Sequence, residues 1–136
     1  MSVPILARLA LALAVTQAAS PWEAPPGARA RANPLSATAE LIRKGRGLFR
    51  QHCALCHGVD GKGKKRHPNP KAPPPPDLTD EVRQERLTDG EIFWKISNGR
   101  RDDGRIVMPA FAGEISSEER RWSLVLYVRS LRQPAD

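Results

Sequence analysis

The chain holds two cysteines, and they sit three positions apart with a histidine directly after the second: Cys53-Ala54-Leu55-Cys56-His57. No other feature constrains the fold as strongly. On one helical turn, two thiols at this spacing lie on the same side, and the next residue carries its imidazole toward them. This is the attachment signature of a c-type haem. Each thiol adds to a haem vinyl group as a thioether, and His57 becomes the proximal ligand of the iron. Other chemistries also use paired cysteines. A thioredoxin-like pair follows a strand and opens a βαβ unit, whereas a helical pattern precedes Cys53. A zinc site needs four ligands, and the remaining histidines are only His52 and His67. A disulfide across two residues closes a tiny loop and stabilises little. One covalent haem c is the cofactor expected.

The rest of the chain needs such a group. Its 136 residues suit one domain, but aromatics are only 5% and there are 13 prolines. A core this thin, below about 100 residues, requires a metal, a cofactor or crosslinks. A large enzyme, a polytopic membrane protein and a collagen-like or coiled-coil rod are excluded. From Gly58 to Asp77 the chain is irregular. Gly58, Gly61 and Gly63 are followed by Lys62, Lys64, Lys65 and Arg66, then by Pro68, Pro70 and Pro73 to Pro76. A loop of that length is uncommon in a compact domain unless something packs inside it. A large prosthetic group meets that need.

Residues 1–20 read as a secretory signal. Arg8 is their one charge, Leu9 to Val15 is apolar, and the small residues Ala18, Ala19 and Ser20 follow. The competing reading is an uncleaved anchor, but the uncharged run is shorter than the roughly 20 residues a spanning helix needs. Residues 21–35, rich in Pro, Ala and Arg, are expected to be a disordered lead-in, with Arg29 and Arg31 as solubilising charge. The folded domain is expected over 36–133. A first helix runs over 36–51, with Leu41, Gly45, Leu48 and Phe49 on one face. Gly45 on that face predicts a close backbone approach. A short helical segment is expected near Asp80 to Glu85. Thr88-Asp89-Gly90-Glu91 is a capping-box pattern that opens a second helix, ending at Asn98-Gly99. Gly104 to Pro109 is read as a loop. A third helix starts at Ser116 or Ser117 and ends near Arg132, with Leu124, Tyr127, Val128 and Leu131 as its stripe. No strand alternation is evident.

The sixth ligand is expected to be Met108. It is the only methionine besides Met1 and lies between two helices, followed by Pro109. Methionine opposite histidine raises the reduction potential and suits electron transfer. His67 is the alternative ligand, although its neighbours are lysines and prolines and it reads as a solvated residue. His52 is held too closely by the attachment turn to reach the other haem face.

The stretches Gly45 to Phe49, Cys53 to Gly61, Met108 to Phe111 and Leu126 to Leu131 together resemble a bacterial mono-haem class I cytochrome c. The resemblance implies an all-α fold, three main helices around one covalent haem with long loops. Gly45 and Phe49 would meet Tyr127 where the first and last helices cross. His57 and Met108 would be the axial ligands, and a carbonyl of Pro73 to Pro76 would accept from His57 Nδ1–H. Trp94 would either donate to a haem propionate or pack in the core. Leu55, Leu78, Phe93, Ile96, Val107 and Phe111 would wall the site.

The function expected is periplasmic electron transfer without substrate chemistry. The alternatives are a haem c subunit held permanently in an oxidase or dehydrogenase complex, and a haem protein with an open sixth site. With 22 Lys+Arg against 15 Asp+Glu and a net charge of +7, the expected partner is a redox protein with an acidic patch. It would face the runs Lys62, Lys64, Lys65, Arg66, Lys71 and Arg100, Arg101, Arg105. An exported chain would not meet nucleic acid. It is expected to be a monomer when free, with membrane association through a complex or an uncleaved N-terminus as the other arrangement.

Overall fold

The computed structural model describes residues 22–63 and 67–134. The expected signal at 1–20 lies outside the described residues, as do Lys64, Lys65 and Arg66. In chain order the elements are α1 (Pro26–Arg29), α2 (Ala39–His52), α3 (Ala54–His57), α4 (Glu81–Arg86), α5 (Asp89–Asn98), β1 (Arg100–Asp102), β2 (Arg105–Met108) and α6 (Glu118–Ser130). Among the described residues, no helix is long and apolar enough to cross a membrane.

Side-chain oxygens start the longer helices, accepting from N–H groups that the first turn leaves without partners. Thr38 caps α2 by accepting from Leu41, Thr88 caps α5 by accepting from Glu91, and Ser117 caps α6 by accepting from Arg120. At its C-terminal end α4 is held by Arg129. This guanidinium donates to the Gln84 and Leu87 carbonyls and pairs with Asp89 at 2.7 Å.

The core forms where α2 and α6 cross. Phe49, Ile115, Trp122, Leu124 and Val125 are fully buried, and Phe49 packs on Tyr127 with ring centroids 5.2 Å apart. Gly45 is what lets the helices approach. A Cβ there would lie 2.1 Å from the Ser123 carbonyl oxygen and 2.9 Å from the Tyr127 Cβ. The Ser123 contact is backbone and the Tyr127 Cβ is fixed directly to backbone, so no flexible group can give way and overpacking costs the full amount. Gly45→Val is expected to lower stability by about 3 kcal/mol or to prevent folding, as read by denaturant titration.

Two expectations are corrected. Most of Gly104 to Pro109, read as a loop, is the turn and second strand of an antiparallel hairpin over 100–108. Asp103 and Gly104 both take positive φ, 50° and 76°, as a two-residue type I′ turn requires. The second correction concerns 21–35. From Trp22 on this segment is packed rather than disordered. Ala24 is buried. Trp22 Nε1 donates to the Gly99 carbonyl at 2.8 Å, and Asn33 Nδ2 donates to the Trp122 carbonyl at 3.1 Å. Arg29 lies 3.5 Å from the buried carboxylate of Glu91. Arg31 covers the stacked rings of Phe93 and Trp122 and pairs with Glu118. These arginines therefore serve packing and ion pairing as well as solubility.

Candidate haem-binding site

Helix α2 passes into α3 almost without a break. Cys53 keeps helical backbone angles and its N–H donates to Phe49, while the His57 N–H donates to the Cys53 carbonyl at 2.9 Å. That turn brings Cys53, Cys56 and His57 to the wall of one cavity. The Gly63 N–H donates to the His57 carbonyl, and the Leu78 N–H donates to Gly61, which ties the irregular loop to the same wall.

Two adjoining cavities of about 220 Å³ and 280 Å³ share Trp22, Cys53, His57, Pro76, Arg100 and Met108 as lining. Together they fall within the size range of ligand pockets. The first is completed by Leu55, His67, the prolines 73–76, Val107, Pro109 and Phe111. The second is completed by apolar side chains, among them Phe49, Leu78, Ile92, Ile96 and Val128, together with Arg83, Gln84 and Lys95. The structure thus brings both cysteines, His57 and Met108 to one largely apolar slot.

The site's electrostatics do not favour a reactive dithiol. Both thiols are free. Burial, and then the neighbouring Cys56, push the Cys53 thiol up to about 12. A reactive dithiol needs a lowered value. Among the described residues, no group of three or more His, Cys, Asp and Glu side chains is arranged to hold a metal ion. Burial lowers the His57 imidazole below its ordinary value, the Pro76 carbonyl opposes this, and His67 adds to the lowering. The neutral ring that results is the metal-binding form. His57 Nδ1 is buried without a hydrogen bond of ordinary geometry, and Pro76 is the acceptor acting on it. A buried imidazole on the wall of an apolar slot, with a backbone carbonyl beside its Nδ1, fits a proximal haem ligand.

Several residues sit differently from expectation. Phe93 does not line the slot but stacks on Trp122 at 4.0 Å; Ile92 and Ile96 are the α5 residues that do. Trp94 lines neither cavity. Trp22 lines both, with Lys95 Nζ 4.0 Å over its ring and donating to its carbonyl at 2.7 Å. Leu55 is a rim residue, 74% exposed. Arg100 is not part of an exposed ring of charge, because it is held by Asp102 at 2.6 Å and lies over Trp22. His67 is half-buried on the cavity wall rather than solvated, and its Nε2 lies 2.7 Å from the Val107 carbonyl oxygen. Met108 ends strand β2 instead of lying in a loop, and its backbone rests against Gly99, where a Cβ would come within 2.4 Å of the Met108 carbonyl.

A family model described as cytochrome c oxidase, cbb3-type, subunit III matches residues 40–128. The curated proteins contain no significant match. Among solved structures, the chain resembles the KustC0563 c-type cytochrome at 28% identity and a TM-score of 0.55, covering 65% of this chain and 98% of that one. It also resembles a chain of the Kuenenia stuttgartiensis reducing HAO-like protein complex Kustc0457/Kustc0458, at 28% identity and a TM-score of 0.54, covering 74% and 47%. Cytochrome cL from Methylophaga aminisulfidivorans is similar in fold, at 24% identity and a TM-score of 0.53, covering 69% and 55%. The chain spans only about half the length of the last two. The family match over most of the folded region, the shared helical architecture and the slot built around Cys53 and Cys56 lead to one conclusion: the chain belongs to the c-type cytochrome family described as cytochrome c oxidase, cbb3-type, subunit III, and carries covalently bound haem c.

Proposed function

We propose that this protein is an exported, periplasmic electron carrier whose haem is attached through Cys53 and Cys56, with His57 and Met108 as axial ligands. The observation that carries this reading is the convergence of two thiols, an imidazole and a thioether on one largely apolar slot. Bound there, the haem iron supplies a one-electron Fe(III)/Fe(II) couple. The protein's part is to hold the group, exclude water and set the potential. Cys53 and Cys56 prevent its loss. The carbonyl of Pro76 makes His57 a stronger donor, and the thioether of Met108 favours the reduced iron. Leu78, Ile92, Ile96, Phe111 and Val128 keep the surroundings apolar.

The partner we propose is a redox protein with an acidic docking patch. Lys62, Lys71, Arg101 and Arg105 are exposed on the segments bordering the slot, and the whole chain carries +7. Such a field raises encounter rates roughly 10- to 1000-fold at low salt. Because the Debye length is about 8 Å at physiological ionic strength, the second-order electron-transfer rate with the isolated partner should fall as salt is added. Arg101→Glu/Arg105→Glu should slow that rate at low salt and flatten its salt dependence. A rate indifferent to both salt and charge reversal contradicts the docking model.

A second reading, a haem c subunit held permanently in a respiratory complex, is favoured by the description of the matched family. Size-exclusion of native extracts separates the two: elution as a monomer no larger than the 15.0 kDa of the full chain marks a free carrier, and co-elution with a large complex marks a subunit.

A further inference from the structure

Strand β2 reaches Met108 through an irregularity. In the hairpin, Asp102 pairs with Arg105 and Arg101 with Ile106, but Arg100 pairs with Met108. Val107 is therefore the extra residue of a β-bulge, with no partner on β1. A bulge bends its strand and re-aims the side chains beside it, and it leaves one residue's backbone groups outside the ladder. Here the residue re-aimed is the one that lines both halves of the slot. A carbonyl left unpaired in a half-buried position costs free energy unless something else donates to it.

His67 supplies that donor from 40 positions away in the sequence. The Asn69 N–H donates to His67 Nδ1 at 2.9 Å. Nδ1 also lies 3.3 Å from the Asn69 carbonyl oxygen, but its shorter contact is to a backbone N–H, which can only donate, so Nδ1 is the acceptor and the ring proton sits on Nε2. Nε2 lies 2.7 Å from the Val107 carbonyl oxygen, the distance of a strong N–H···O bond. The Asn69 backbone thus selects the tautomer, and the tautomer reaches the bulge.

We infer that His67 is a positioning residue for the sixth ligand: by donating from Nε2 to the carbonyl of the bulged Val107, it holds the strand in the bend that presents Met108 to the slot. The inference rests on the reading of Met108 as the axial ligand. It also explains why a histidine in the middle of a basic, proline-rich loop lies on the cavity wall without being a ligand itself.

The test uses the ferric holoprotein and imidazole as an exogenous ligand, whose entry requires the Met108 side chain to leave the iron. His67→Ala should bind imidazole about 10-fold faster than wild type, the effect of losing one hydrogen bond to a backbone carbonyl. His67→Gln, whose side-chain amide supplies an N–H in place of Nε2–H, should stay within about threefold of wild type. A general loss of stability would not be repaired by that replacement. In the wild-type protein, nitrogen NMR of the imidazole should show a bare Nδ1 and a protonated Nε2, which requires no variant to fold. Wild-type binding rates in His67→Ala, equal acceleration in His67→Gln, or a protonated Nδ1 would each overturn the role of His67. Absence of the far-red thioether–iron absorption band in the wild-type protein would instead overturn Met108 ligation, and the inference with it.

Discussion

Cys53→Ala/Cys56→Ala is expected to give a colourless, protease-sensitive chain. The reason is the size of the slot relative to the core around it. Phe49, Ile92, Ile96, Leu124 and Val128 are core side chains that also line the larger cavity. Without the haem they face a void. Emptying that slot removes the packing partners of these side chains, where an ordinary domain's whole stability is only about 5–15 kcal/mol. In the wild-type protein the haem should stay with the denatured chain on a gel stained for haem peroxidase activity. The double variant should show no band, lost helical ellipticity and rapid proteolysis. Recovery of a folded, stable apoprotein would show that the polypeptide core suffices by itself.

Met108→Ala should lower the reduction potential and abolish the far-red thioether–iron band of the oxidised protein. A soft thioether stabilises Fe(II) over Fe(III), so its loss favours the oxidised state. Axial ligands command a range of about 0.8 V, so a fall on the order of 100 mV is expected from potentiometric titration. The fold should survive, because Met108 is only half-buried and lies at a strand end. An unchanged spectrum and potential would remove Met108 from the iron and promote His67, which lines the same cavity.

What could be read in the sequence was local or tightly patterned. Cys53 to His57 act within one turn, so their spacing alone places them. Thr88 and Ser117 cap helices through neighbours three residues on. Gly45 was legible because a glycine on an apolar helical face has few other purposes, although the group it admits, the Ser123 carbonyl, was not. The hairpin carried a usable sign in Asp103-Gly104, the residue pair a type I′ turn prefers. It was obscured because the strands beside it are short and charged and show no alternation.

Other features were hidden by distance along the chain. Nothing near Arg29 reveals that Glu91 is buried across from it. Nothing near Trp22 reveals that it lies under Lys95 and beside Gly99. An Ala-, Pro- and Arg-rich segment has no periodicity of its own and is ordered by α5 and α6. The same reason explains Trp94 and Phe93. Periodicity shows that α5 buries a face, but which residues meet the slot and which meet Trp122 depends on how α5 is rotated in the fold. The place of His67 is hidden in the sequence because its partner, Val107, is unpaired only as a consequence of a bulge that the sequence does not announce.

The covalent haem is proposed to have both axial positions of its iron filled from the chain, by His57 and Met108. Optical spectroscopy of the reduced holoprotein under carbon monoxide tests it most directly. The prediction is a low-spin, six-coordinate spectrum in both oxidation states, one reversible one-electron wave, and no carbon monoxide adduct on mixing. A high-spin spectrum with immediate adduct formation would contradict the claim, because it would show an open sixth site and point to ligand binding in place of electron transfer.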